Sequence, residues 1–168
     1  RIIPCEDIAP TTPKLDARLI TVPSVAIGSA FDYTVEMANL SFDALLTSLP
    51  LVDKFDEQKA EDVKLLEDRI DKYEDKLGTF MVRLAKEELS DADSLQVTKM
   101  LHTINDFERI GDHACNIVKV AREMTDKNLR FSKEAWSEIK VLTEALCEIV
   151  NLTRTAFAEN DLAVATKI

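Results

Sequence analysis

Glycine, proline and cysteine are scarce in this chain: three, five and three in 168 residues. Four of the prolines fall within the first 23 residues, and beyond Ser24 only Pro50 remains, which leaves room for long uninterrupted helices. So little glycine excludes a phosphate-cradling Gly-rich loop. Cys5, Cys115 and Cys147 are odd in number and scattered, which excludes a disulfide framework and points to a reducing compartment. Cys115 and Cys147 are expected to pack as small apolar side chains rather than to react. Basic residues are outnumbered, 21 Lys and Arg against 31 Asp and Glu, for a net charge of -10. That balance carries no electrostatic footprint for DNA or RNA and disfavours anionic lipid surfaces. No apolar run approaches the ~20 residues of a membrane span, and no signal peptide is visible. The chain opens on Arg1 rather than Met, so it is expected to be an excised piece of something longer.

What is present is helical periodicity. Residues 1–22, rich in Pro and Thr and without a repeat, read as an extended lead-in. A first helix is expected over about 23–49, with Pro23 in its first turn, a stripe of Phe31, Val35, Ala38, Phe42, Leu45 and Leu49, and Pro50 at its end. The second, about 55–88, carries Val63, Leu66, Ile70, Tyr73, Leu77, Phe80 and Leu84. The third, about 92–126, carries Met100, Ile104, Phe107, Gly111, Ala114, Val118 and Ala121, with Asp91 or Asp93 as its cap. The fourth, about 132–158 or further, opens on Ser132 and carries Trp136, Ile139, Leu146, Val150 and Phe157. Alternating steps of three and four are the seams of antiparallel helices crossing near +20°. Short loops make neighbours antiparallel. The fold class is all-α, an up-down bundle of long helices.

The segment Glu36-Met-Ala-Asn39-Leu40-Ser41-x-x-Ala44 recurs 112 residues later as Glu148-Ile-Val-Asn151-Leu152-Thr153-x-x-Ala156. Chance likeness of two amphipathic helices competes with this reading. A genuine repeat makes residues 23–127 one three-helix unit and 128–168 the first helix of a truncated second one. That helix then folds onto the first three, or swaps into a neighbouring copy.

Two E-x-x-x-D pairs, Glu67/Asp71 and Glu108/Asp112, each put two carboxylates one turn apart on one helix face. Folding back about Ser90 sets Glu67 opposite Asp112 and Asp71 opposite Glu108. With seam positions lettered a and d, Glu67 and Glu108 fall at e and Asp71 and Asp112 at b. Such a set suits a hard cation, Mg, Mn, Ca or iron better than zinc. Similar spacings at Asp53/Glu57 or Glu134/Glu138 are solvated faces, and a solvated ridge is the competing reading here too. Gly111, mid-helix at a cost of about 1 kcal/mol, predicts a close helix approach beside these acids. Arg109 is expected to pair with Asp112 or Glu108. His102 and His113, eleven residues apart on one helix, cannot share a metal and read as surface or structural. No nucleophile, base and acid stand together, so a non-enzymatic role is expected.

The stretch Asn105-Asp-Phe-Glu108-Arg109-Ile-Gly111-Asp112-His113-Ala-Cys115-Asn116-Ile117 resembles the signature of the PhoU family, phosphate-uptake regulators built from two three-helix repeats. The resemblance implies a PhoU-like bundle, and a divalent or ferric ion (Fe, Mn, Mg or Zn) held by Glu67, Asp71, Glu108 and Asp112. Pro13-Lys14-Leu15-Asp16 and Thr21-Val-Pro23-Ser24-Val25-Ala26 resemble the segment leaving the membrane domain of bacterial sodium/phosphate cotransporters, which carry a PhoU-like domain. That likeness implies a regulatory domain on the cytoplasmic side of the inner membrane, partnered by the transporter's own transmembrane domain. Self-association or a helix swap is a further expectation; nucleic-acid and direct lipid binding are not expected. The alternatives are a free-standing PhoU-type regulator contacting an ABC phosphate transporter and a sensor kinase, and a metal-free helical interaction module. A di-iron enzyme is remote, since neither His102 nor His113 follows a Glu by three.

Overall fold

The computed structural model describes residues 13–159 and 161–168, all in helices, turns and connecting segments. Cys5 and most of the lead-in lie outside the described residues. The rest of the lead-in is partly helical. Asp16 accepts from the Arg18 backbone N–H at 2.9 Å and starts a 3-10 turn over Ala17–Thr21. Buried Ile20 anchors that turn in the core.

The first helix, α1 (Pro23–Ser48), has Pro23 at its first position, where a missing N–H costs nothing. A 3-10 turn over Leu49–Val52, carrying Pro50, ends it. Its buried surface is much wider than one stripe. Ala26, Ile27, Ala30, Met37, Ala38, Phe42, Ala44 and Leu45 are all buried, and Val35 of the expected stripe only partly so. α1 is the central helix, packed against both of the next two helices and touching the last. Three hydroxyls are buried in it. Thr34, Ser41 and Ser48 donate to the carbonyls of Ala30, Met37 and Leu45 at 2.8, 3.0 and 2.7 Å, which removes the penalty of burying them.

The second helix, α2 (Glu57–Leu84), starts at Asp56, whose carboxylate accepts from the Lys59 N–H. It is shorter than expected at both ends. The third, α3 (Asp91–Asp126), is capped by Ser90 and not by Asp91 or Asp93. Ser90 is extended (φ -65, ψ 160), and its Oγ accepts from the Asp93 N–H at 3.2 Å while donating to the Asp93 carboxylate at 2.8 Å. Val63, Ile70, Tyr73, Leu77, Phe80 and Leu84 meet Met100, Ile104, Phe107 and Ala114 along the expected seams. Ring edges lock the core, with Phe42 and Phe107 at 5.6 Å in a T-shape.

The fourth helix, α4 (Lys133–Glu159), begins where Ser132 Oγ accepts from the Ala135 N–H. It folds back onto α1 and α3 through its C-terminal half. Phe157 sits between Phe31 and Phe107, with ring centroids at 5.6 and 5.1 Å, and Arg154 reaches Asp43 at 2.6 Å. Val150 is its only fully buried residue; Trp136, Ile139 and Leu146 are half-buried. Between α3 and α4, over Phe42 and Leu45, an open apolar groove of about 690 Å3 remains. A short helix, α5 (Leu162–Ala165), capped by Asp161, follows. No helix among the described residues is long and apolar enough to cross a membrane.

Candidate functional site

The four carboxylates flank a tight contact between α2 and α3. At Gly111 a Cβ would stand 3.0 Å from Cδ1 of Ile70, so any larger residue would force that side chain to give way. Ile70 lies between Glu67 and Asp71 in sequence, and Gly111 between Glu108 and Asp112. The contact therefore brings both acidic pairs to one height.

At this height the acids act on one another's fields. Partial burial pushes the Glu67 carboxyl above its ordinary pKa, and Asp71, Asp68 and Asp112 add to the shift. Asp71 is raised by burial and then by Asp112, Asp68 and Asp75. Glu108 is raised by burial and then by Asp112, Asp71 and Glu74. Asp112 thus acts on all three other carboxylates from across or along the helices. The cancelling fields are smaller: Lys119 on Glu67 and Arg109 on Glu108.

The expected counter-ion is absent. Ion pairs among the described residues join Arg18 to Asp16, Arg122 to Glu57, Lys127 to Glu123, Lys140 to Glu144 and Arg154 to Asp43. None involves the four acids, and Arg109 pairs with neither Asp112 nor Glu108. Yet among the described residues no three His, Cys, Asp or Glu side chains are gathered as a metal shell. The backbone brings the acids to one level; their side chains do not converge. Asp71 and Asp112 are solvent-exposed and Glu67 and Glu108 only half-buried, so like charges spread into water at little cost. The donor set itself, all carboxylate oxygen, fits a hard cation.

The histidines take no part. His113 turns to the apolar groove beside Ile110, Ile117 and Leu146. His102 lies in a shallow depression with Glu74, Asp75 and Asn105. Asn116 accepts from Lys119 Nζ at 3.3 Å. Burial, with Glu67 next, pushes the Cys115 thiol up to about 11, which makes it a poor nucleophile.

One polar link escaped the sequence. Tyr73 donates to Glu36 on α1 at 2.6 Å, and burial with this bond holds its phenol well above the ordinary value. The available signal was a tyrosine on a core seam, whose hydroxyl needs a partner.

The chain is similar, at 21% identity, to proteins named "Putative inorganic phosphate export protein YjbB" in Escherichia coli O157:H7, Escherichia coli K12 and Shigella flexneri. Each alignment covers 98% of this chain and 32% of the relative, so the chain spans about a third of the length of these curated relatives. No solved structure matches it. The PhoU domain matches residues 34–121, from within α1 to the last turns of α3, with all four carboxylates and Gly111 inside the match. Covering more than half of the chain, that match means that the chain belongs to the PhoU domain family.

Proposed function

We propose that this chain is a metal-binding regulatory domain that serves phosphate transport. Family membership and the likeness to proteins named for phosphate export support a role in phosphate homeostasis. The carrying observation is the set of four carboxylates without ion-pair partners among the described residues, beside the Ile70–Gly111 contact. Glu67, Asp71, Glu108 and Asp112 would hold a divalent or ferric ion, Mg, Mn or iron in preference to zinc. Such an ion supplies the positive charge that cancels their repulsion and ties α2 to α3. The role is regulatory rather than catalytic.

In the finer reading the domain follows the membrane domain of a sodium-dependent phosphate cotransporter, on the cytoplasmic side, and modulates transport through contact with it. Two features support this: the lead-in over Pro13–Asp16 and Thr21–Ala26, and relatives roughly three times as long as this chain. A free-standing regulator is the alternative. An encoded membrane segment in the same polypeptide separates the two.

The test is elemental analysis of the purified chain, with melting curves in the presence and absence of chelator. Bound metal that disappears in Glu67→Gln/Asp112→Asn, with an equal loss of the chelator effect, is the expected result. No bound metal and no chelator effect would sink the metal reading. A metal-free helical interaction module would then stand, a reading favoured by the lack of three converging side chains among the described residues.

A further inference from the structure

Where the lead-in meets α2, the charge reverses. A pocket of about 580 Å3 lies where the lead-in crosses the C-terminal half of α2. Lys76, Thr79, Phe80 and Arg83 follow one another at helical spacing along one stripe of α2, and Lys14 joins them from the lead-in. Phe80, 5% exposed, forms the apolar floor, and Pro13 is buried beside Lys14, so the lead-in is seated and not merely adjacent. Asp75 is the single carboxylate in the lining among the described residues. In a chain of net charge -10 the described residues of this pocket carry two net positive charges.

Three features suit the pocket to an anion. Lys14, Lys76 and Arg83 make no ion pair among the described residues, although the chain has acids in excess. The one acid among the described lead-in residues is already engaged: Asp16 takes two hydrogen bonds from Arg18 Nε at 3.0 Å and one from its terminal nitrogen at 2.6 Å. Thr79 is also free. Thr34, Thr98 and Thr103 each donate to the carbonyl four residues back, whereas the Thr79 hydroxyl makes no hydrogen bond among the described residues. A planar guanidinium for two-point contact, two mobile ammonium groups and a free hydroxyl match a tetrahedral oxyanion better than a lone carboxylate.

We propose that this pocket binds a phosphate-type tetrahedral oxyanion, held by Lys14, Lys76 and Arg83 with a hydrogen bond from Thr79. Inorganic phosphate and the phosphoryl headgroup of a membrane lipid share this chemistry. Lys14, Lys76 and Arg83 are exposed, so their attraction weakens with salt. The inference requires no metal at the four carboxylates.

The experiment titrates the 168-residue chain with inorganic phosphate, by calorimetry and by amide chemical shifts, in chelator throughout. Parallel sedimentation uses vesicles of phosphatidylcholine with and without phosphatidylglycerol. Saturable phosphate binding, with shifts centred on Lys76 to Arg83, is expected. Lys76→Gln or Arg83→Gln should weaken it by about tenfold each, the worth of a charge-assisted hydrogen bond. Lys14→Gln should weaken it too, without touching any helix, and Asp75→Asn should tighten it. Binding only to phosphatidylglycerol vesicles, lost in the same variants, keeps the site and makes the lipid headgroup its ligand. Binding to neither probe, or affinity unchanged in Lys76→Gln/Arg83→Gln, overturns the proposal. Because chelator is present, a failed metal site leaves this result untouched, and the reverse holds.

Discussion

Gly111 sets the distance at which α2 and α3 pass, and with it the level of all four carboxylates. Gly111→Ala would gain about 1 kcal/mol in helix propensity. Its Cβ would meet Ile70 Cδ1 at 3.0 Å, and Ile70 is fully buried and branched at Cβ, so it has little room to turn. Overpacking costs about 1–3 kcal/mol, so a net loss of roughly 1 kcal/mol is expected in urea unfolding. Ile70→Val removes the offending methyl and should restore most of that loss in the double variant. Additive losses would show that the two residues are not in contact. The carboxylates make a second prediction at this scale. Glu67, Asp71 and Glu108 are raised in the fold, so the fold favours their protonated forms. Their contribution is fullest in acid, below the unfolded carboxyl pKa, and is lost as pH rises through the raised folded values. In chelator, Glu67→Gln/Glu108→Gln should therefore melt higher than the parent near about pH 7, with the gap closing toward about pH 4. A gap that widens in acid would contradict the crowding of these acids.

At the scale of the element, the caps and seams decide what the sequence could reveal. Ser90→Ala should cost about 1 kcal/mol, because the hydroxyl serves the Asp93 N–H and no neighbouring side chain replaces it. Asp91→Ala should cost markedly less; equal losses would restore the aspartate as the cap. α2 and α3 were legible because each has one apolar seam and a charged back. α1 was legible as a helix but not as the central one. A helix buried on several sides presents alanine, serine and threonine as well as large apolar residues, and Ser41 and Thr34 read as polar until their hydroxyls are seen on the helix's own carbonyls. The stripe of α4 was read correctly, yet only Val150 on it is fully buried, since amphipathicity does not tell how much partner surface exists. For the candidate site, counting turns from Ser90 placed Glu67 near Asp112 and Asp71 near Glu108. Whether exposed carboxylates converge depends on solvent and counter-charge, which spacing does not encode.

On the scale of the whole molecule, the bundle is a tight three-helix unit with a fourth helix attached at one end. Most buried side chains of α1, α2 and α3 form one core, whereas α4 adds to it only Val150 as a buried residue, with Phe157 and the Arg154–Asp43 pair beside it. Toward its N-terminal end Val141 and Leu142 are 65% and 69% exposed, and the groove beside α3 stays open. Local stability follows buried apolar contact, so α4 should open well before the rest unfolds. Native-state hydrogen exchange should show its amides protected by less free energy than those around Ile70, Tyr73 and Ile104. Phe157→Ala removes the ring lodged between Phe31 and Phe107 and takes away most of the anchor. Its expected effect is a loss of α4 protection, with α1 to α3 losing far less. A uniform loss across all four helices would instead make α4 an integral member of one cooperative core. That result would remove the division between a three-helix unit ending near Lys127 and the helix that follows it.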